Sequence, residues 1–321
     1  MIADLLAFAT DKTNFVTVAN YIEFCARFLA FSESGLQATI ISKNEPHYQF
    51  FQFKADGNHA ISRPINSQLM YTAKNEQIIA VEFSRLLADA RSIPADDTVN
   101  RAKIRNSVYT IQQSIGITLD ALPQGKSNTA RKVTGDLFER LVRLLISGMG
   151  IDCKSGTIGI PVVVPNVAEF TMGYQHDLII RRDGHMKILG SVKTSSKDRI
   201  DKIFIDKFLY SKLTGTQLPH IAIFLNDVQR KGKPPKYGVS ATFLPGHFKG
   251  YSIKLNPLDG VYYCDLRPNM TTDEYLKSKI HPIDRLFCND LWELVAAPHP
   301  DVEAAEPLLK ETIDPEKEFE R

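Results

Sequence analysis

An α/β fold, with a central sheet flanked by helices and a mainly helical N-terminal region, follows from three stretches of this 321-residue sequence. In TGDLFERLVRLLISGMG (134–150), Phe138, Leu141, Val142, Leu145, Ile146 and Met149 recur at i, i+3, i+4, i+7, i+8 and i+11, one buried helical stripe. The branched apolar runs DLIIRR (177–182) and HMKILGSVK (185–193) flank Asp183–Gly184, a dipeptide suited to a two-residue hairpin turn. A helical pattern carried by Ile200, Ile203, Phe204 and Phe208, with Ile205 and Leu209 beside it, then leads into a third run, HIAIFLND (220–227). The hairpin therefore opens into a central sheet.

Composition bounds the rest. A hydrophobic content of 43% in a chain of this length can bury one large core, or one core and a smaller domain. No apolar run approaches the roughly 18–20 residues needed to cross a bilayer. Cys25, Cys153, Cys264 and Cys288 lie far apart without a C-x-x-C pair, and no signal segment opens the chain. A reduced, cytoplasmic protein is expected, with neither a disulfide framework nor a zinc site. The net charge of +2 conceals a segregation. Residues 181–249 carry fourteen Lys and Arg against five Asp and Glu, whereas residues 300–321 carry eight acids against three bases. The basic stretch suits a polyanion such as nucleic acid, or is a solvated basic face.

In chain order, residues 1–33 read as mainly helical, short strands fall near Ala38–Ile41 and Tyr48–Lys54, and residues 75–90 are again helical. The turn formers in LPQGKSN (122–128) mark a boundary near residues 122–130. This gives an N-terminal region 1–125, a second domain 126–299 and an acidic, loosely held tail 300–321. The N-terminal aromatics Tyr48, Phe51 and Tyr71 suit core packing better than stacking on a base. QRKGKPPK (229–236) reads as a loop, either touching phosphates or simply solvated.

The segment SVKTSSKDR (191–199) concentrates the chemistry. It sets Lys193 at a strand end, where a cation could hold a water against a phosphodiester, and follows it with the cluster Lys197, Asp198, Arg199. A strict two-residue loop places Asp177 opposite Gly190 and turns Lys193 to the other face. Bringing Asp177 and Lys193 together therefore requires a bulge or an odd-length loop, and one is predicted. The next helix is expected to start near Ser195 or Ser196, either of which could cap it. Two acids complete the set. Glu139, at the edge of the helical stripe, is either a surface glutamate or points into a cleft. Asp206 is either an i to i+4 partner of Lys202 or a site residue.

Helix Glu139, strand Asp177, strand Lys193 and helix Asp206 together resemble the PD-(D/E)XK nuclease core, a central mixed sheet flanked by helices. The resemblance spans residues 134–227 and is closer to the restriction endonucleases of the EcoRII, SsoII and NgoMIV group. There the acid two residues before the lysine is replaced by a small or neutral residue, as in Ser191-Val192-Lys193, and a carboxylate on the following helix takes its role. Asp206 stands at that spacing, with Asp in place of the usual Glu. Lys197-Asp198-Arg199 is similar to the group's Arg-(Asp/Glu)-Arg recognition cluster, with Lys in the first position. Residues 1–125 carry no such resemblance.

The resemblance implies a type II site-specific deoxyribonuclease. It would use Mg²⁺ held by Asp177 and Asp206, with Lys193 orienting the attacking water and Glu139 acting through water or a second metal. Arg199 and Lys197 would read guanines and Asp198 cytosines, at a palindrome with CC and GG half-sites like those of PfoI-like or EcoRII-like enzymes. A homodimer on double-stranded DNA, leaving 5′ overhangs, is implied, with neither a membrane nor a small-molecule cofactor involved. Ser191 lacks a base that would make it a nucleophile, and His176 reads as a strand-end or supporting residue. Two other readings stay open: a repair or recombination nuclease directed by structure or damage, and a sequence-specific DNA-binding module without catalysis.

Overall fold

Leu178, Ile180, Ile188 and Val192 pack on one side of the central sheet and Ile179 and Leu189 on the other, so the two strongest apolar runs alternate with period two in the computed structural model. The structure describes residues 2–55, 58–163, 165–234, 236–298, 306 and 310–313. Residues 1–125 hold helices α1 (Ile2–Thr10), α2 (Val18–Ser34), α3 (Phe83–Ala88) and α4 (Thr98–Leu119), with a small sheet of β1 (Leu36–Ile41), β2 (Tyr48–Ala55), β3 (Asn58–Ile61) and β4 (Ile65–Asn66). Thr17 caps α2 and Asp97 caps α4, each through a side-chain oxygen accepting from the first turn. Tyr48 and Phe51 are buried, and the Tyr48 hydroxyl donates to Asp265 at 2.7 Å. Core packing therefore claims these two aromatics, while Tyr71 is half-buried beside the same core.

Beyond the turn at 120–126, α5 (Ser127–Gly148) carries the apolar stripe, and β5 (Asp152–Val162), β6 (Phe170–Arg182) and β7 (His185–Lys193) form an antiparallel run. Next come α6 (Ile200–Thr214) and β8 (His220–Phe224), which pairs parallel to β7. They are followed by the hairpin β9 (Val228–Lys233) and β10 (Lys236–Ala241), α7 (Pro245–Lys254), β11 (Gly260–Tyr263), β12 (Ile280–Pro282) and β13 (Lys310–Ile313). The main sheet is mixed, in the order β12-β11-β8-β7-β6-β5-β13. One core joins α5 and the N-terminal helices to its first face, and α6 and α7 cover the second through Ile203, Phe204, Tyr210 and Phe248. The turn near residue 125 lies between α4 and α5, whose apolar side chains meet in that first core.

The hairpin contains the predicted bulge. Asp183 (φ 54°) and Gly184 (φ 84°) both take left-handed conformations, as a type I′ turn requires. Pairing runs Arg182↔His185 and Arg181↔Met186, then shifts to Ile180↔Ile188, Ile179↔Leu189 and Leu178↔Gly190, leaving Lys187 as the extra residue. One step beyond the ladder, Asp177 comes level with Ser191, on the face that Lys193 shares.

Three local expectations change. Ser195 and Ser196 do not cap α6, because Asp227 draws both side chains away into the sheet; the helix starts at Ile200, with Arg199 at its cap position and no side-chain cap bond. The stretch 229–236 is no simple loop, since most of it forms the β9–β10 hairpin. The tail from residue 300 lies largely outside the described residues, but Lys310–Ile313 pairs with Gly156–Gly159, and the Glu306 carboxylate accepts the Met186 N–H at 2.5 Å.

Buried imidazoles couple this fold to pH. His220 Nδ1 lies 2.8 Å from the Leu218 carbonyl oxygen, and its ring packs against His176 and Tyr210. Burial is the main force keeping both imidazoles neutral; it lowers the His176 pKa to about 4 and that of His220 well below 6.5. Below pH 6.5 the unfolded chain binds protons that the folded imidazoles refuse, so acidification through this range costs stability. The melting temperature should thus fall from pH 7 to pH 5, and His220→Phe should make that decline shallower. An unchanged slope in the variant would assign the acid sensitivity elsewhere.

Candidate active site

The elements of the site come from the sheet and from the helices on its two faces, and α5 shows why its sequence serves two surfaces at once. Opposite its apolar stripe, Lys132, Asp136, Glu139 and Arg143 recur at i, i+4, i+7 and i+11 and line a cleft of about 1250 Å³. The other walls are Asp177 and Gln175 from β6, Ser191 and Lys193 from β7, the turn Lys197–Arg199, and Lys202 and Asp206 from α6. Arg143 donates to Ser155 Oγ at 2.6 Å and Arg140 to the Lys12 carbonyl at 2.6 Å; Lys12 Nζ stands 3.0 Å from Asp136 Oδ2. The sequence singled out Glu139 on this face but not Lys132, Asp136 or Arg143, although the same helical period that marks the apolar stripe carries the signal.

At the end of β7, Lys193 Nζ donates to Asp177 Oδ2 at 2.5 Å and to Glu139 Oε1 at 2.8 Å. Asp177 Oδ2 also accepts the Val192 N–H at 2.8 Å, just past the point where the β6–β7 ladder ends. The Asp177 and Glu139 side chains are only 7% and 10% exposed, and that of Lys193 24%. Burial works against the ammonium charge, but the two carboxylates more than offset it, so the Lys193 pKa lies above the ordinary lysine value.

Asp206 occupies the same cleft, yet its Oδ2 accepts from Lys202 Nζ at 2.7 Å. The structure brings Glu139, Asp177 and Lys193 together and leaves Asp206 in the wall of the same cleft, bonded to Lys202 instead. Among the described residues, no three His, Cys, Asp or Glu side chains are grouped to hold a metal ion by themselves. The hard oxygens of Asp177 and Glu139 nevertheless suit Mg²⁺, which commonly takes one or two carboxylates and completes its shell with water and substrate phosphate.

The cluster Lys197, Asp198 and Arg199 is exposed in a turn between β7 and α6. Lys197 Nζ donates to Gln229 Oε1 at 3.2 Å, and Asp198 adopts a left-handed conformation with φ 54°. His176 is buried within β6 and not at a strand end, with its ring against His220. Asp227, which the sequence marked only as the end of a strand run, is fully buried and accepts hydrogen bonds from the segment leading to this turn. Burial raises its pKa, and the donors around it oppose that rise.

A mixed sheet flanked by helices, with a hairpin that splits at Asp177 and ends on Lys193, is a restriction-endonuclease-like fold. The crystal structure of the type IIP restriction endonuclease Kpn2I superposes on 92% of this chain and 97% of its own, with a TM-score of 0.66 at 16% identity. A complex of the restriction endonuclease PspGI with substrate DNA gives a looser overlay, with a TM-score of 0.39 at 13% identity over 69% of this chain and 93% of that one. No protein-family model and no curated protein matches the sequence. Among the described residues, no helix is long and apolar enough to cross a membrane.

Lys193→Met should uncover two neighbouring buried carboxylates and destabilise the fold by about 3 kcal/mol. If that pair holds a divalent cation, millimolar Mg²⁺ should restore part of the lost melting temperature in the variant. Melting unaffected by Mg²⁺ would remove the pair as a metal site.

Proposed function

We propose that the chain is a Mg²⁺-dependent type II restriction endonuclease that hydrolyses double-stranded DNA at a palindrome containing CC and GG half-sites and leaves 5′ overhangs. The observation that carries this reading is Lys193 held between Asp177 and Glu139 at the floor of a cleft whose rim is Lys197, Asp198 and Arg199. The likeness of fold to Kpn2I, a type IIP restriction endonuclease, supports it.

In this mechanism Asp177 and Glu139 would hold the metal through carboxylate oxygens, with Asp206 as a further ligand once freed from Lys202. Mg²⁺ bound there would neutralise the charge that builds on the phosphoryl oxygens. The Lys193 ammonium orients the attacking water and favours its deprotonated form. Arg199 and Lys197 donate to guanine O6 and N7, and Asp198 accepts from cytosine N4. Lys132, Arg131 and Lys202 flank the same cleft, where contacts to phosphates would fix register without reading sequence.

Residues 126–299 would form the nuclease domain, and residues 1–125 would serve dimerisation or DNA contacts. The working form would be a cytoplasmic homodimer, because a two-fold palindrome is matched by two-fold symmetry. The Lys202–Asp206 pair keeps the non-catalytic DNA-binding reading in play, since it leaves the second proposed metal ligand engaged elsewhere.

Purified protein incubated with a sequenced plasmid should give discrete fragments only when Mg²⁺ is present, and sequencing their ends should reveal the site and the stagger. Lys193→Ala should lower the rate by roughly 100-fold or more while leaving duplex binding intact. Asp206→Ala should also abolish cleavage; full activity in that variant would remove Asp206 from the site. Smeared or structure-dependent nicking would favour a repair nuclease, and tight duplex binding without cleavage a non-catalytic module. Arg199→Ala should relax discrimination at one base pair by about 1–3 kcal/mol, read as the ratio of cleavage rates on intact and singly substituted sites.

A further inference from the structure

We infer that Asp227 is a positioning residue for sequence discrimination, setting where the Lys197–Arg199 turn stands relative to Lys193; the inference rests on the DNA-reading role proposed above for that turn. Asp227 is fully buried, three residues past the end of β8. Its Oδ1 accepts from Ser195 Oγ at 3.2 Å, the Ser196 N–H at 2.8 Å and Thr242 Oγ1 at 3.0 Å. Its Oδ2 accepts from Ser196 Oγ at 2.6 Å and the Tyr263 hydroxyl at 2.5 Å. One carboxylate thus ties the chain after β7 to β11 and to the foot of the β9–β10 hairpin.

The turn hangs from that tie. The Ser196 carbonyl accepts the N–H groups of Arg199 at 3.0 Å and Ile200 at 3.2 Å, and Ser195 Oγ accepts the Lys197 N–H at 3.2 Å. Lys197, Asp198 and Arg199 are exposed, so nothing packs over them, and α6 begins without a side-chain cap. The left-handed Asp198 adds local strain that fixed ends must hold. Two residues past Asp227, Gln229 receives the Lys197 ammonium, so both ends of that contact are rooted at the same carboxylate.

The consequence is a division of labour. Glu139, Asp177 and Lys193 are held by their own mutual bonds and by the sheet, none of which involves Asp227. Base readout instead depends on donors held within about 0.5 Å of their partners; α6 holds the far end of the turn through Ile203 and Phe204, and Asp227 is the buried side chain that bonds its near end. Loosening Asp227 should therefore cost discrimination before it costs hydrolysis.

The test compares wild type with Asp227→Asn, Ser196→Ala and Tyr263→Phe. Each is taken through metal-free selection from random duplexes and through plasmid cleavage in Mg²⁺. Wild type should enrich one sequence. Asp227→Asn and Ser196→Ala should lose about tenfold or more of the affinity ratio between that duplex and singly substituted ones. Tyr263→Phe, which removes the β11 bond to the same carboxylate and leaves the Ser195, Ser196 and Thr242 bonds to it in place, should keep the ratio within about twofold. Unchanged discrimination in Asp227→Asn and Ser196→Ala overturns the inference. Equal loss in Tyr263→Phe overturns it too, by reducing the network to general stability. Should Asp227→Asn fail to fold, Ser196→Ala against Tyr263→Phe decides alone. Enrichment without cleavage would sink the nuclease reading while leaving Asp227 to be judged on binding; cleavage without enrichment would do the reverse.

Discussion

Three charges meet at the end of β7, and the rest of the site depends on how they compensate one another. Asp177 and Glu139 are nearly buried carboxylates that share one partner, and a cation between them offsets the cost of burying two like charges. The Lys193 ammonium supplies it, and is itself kept charged by the pair. A metal ion bound as proposed would share these carboxylates with an ammonium already in place.

Holding that triad requires two layers that are remote in sequence. α5 contributes Glu139 because its apolar stripe is locked against the sheet and against α4, which fixes the rotation of its polar face. β6 contributes Asp177 because the bulge at Lys187 restores the register that a two-residue turn alone would have misaligned by one residue. The N-terminal helices act on the site indirectly, by closing the first face of the core and by the Lys12 contacts to Asp136 and Arg140 on α5.

A second carboxylate, Asp227, works by the opposite logic. It has hydroxyls and one N–H around it where Asp177 has an ammonium, and it fixes backbone where the triad fixes charge. A buried carboxylate satisfied by several donors costs desolvation and returns geometric precision to the turn that follows Ser196. The cleft therefore combines a charge-compensated floor with a rim anchored from below.

Much of this was legible in the sequence. The stripe on α5 fixed one helix, the Asp-Gly dipeptide fixed the hairpin turn, and simple register arithmetic demanded the bulge that joins Asp177 to Lys193. These are local properties, decided by side-chain period and turn chemistry within a few residues. What the tertiary structure decided depends on contacts between distant segments. Ser195 and Ser196 have the composition of helix caps, but a buried acceptor at Asp227, more than thirty positions along, outcompetes the helix N–H groups for them. The pairing of Asp206 with Lys202 was legible as an i to i+4 spacing, but that Asp206 lines the same cleft as Asp177 and Glu139 depends on how α6 sits over the sheet. Local pattern was enough for α5, the β6–β7 hairpin and its bulge; packing selected the start of α6 and the polar groups that meet in the cleft, because hydrogen bonds and ion pairs across a fold are set by distances that the linear chain does not contain.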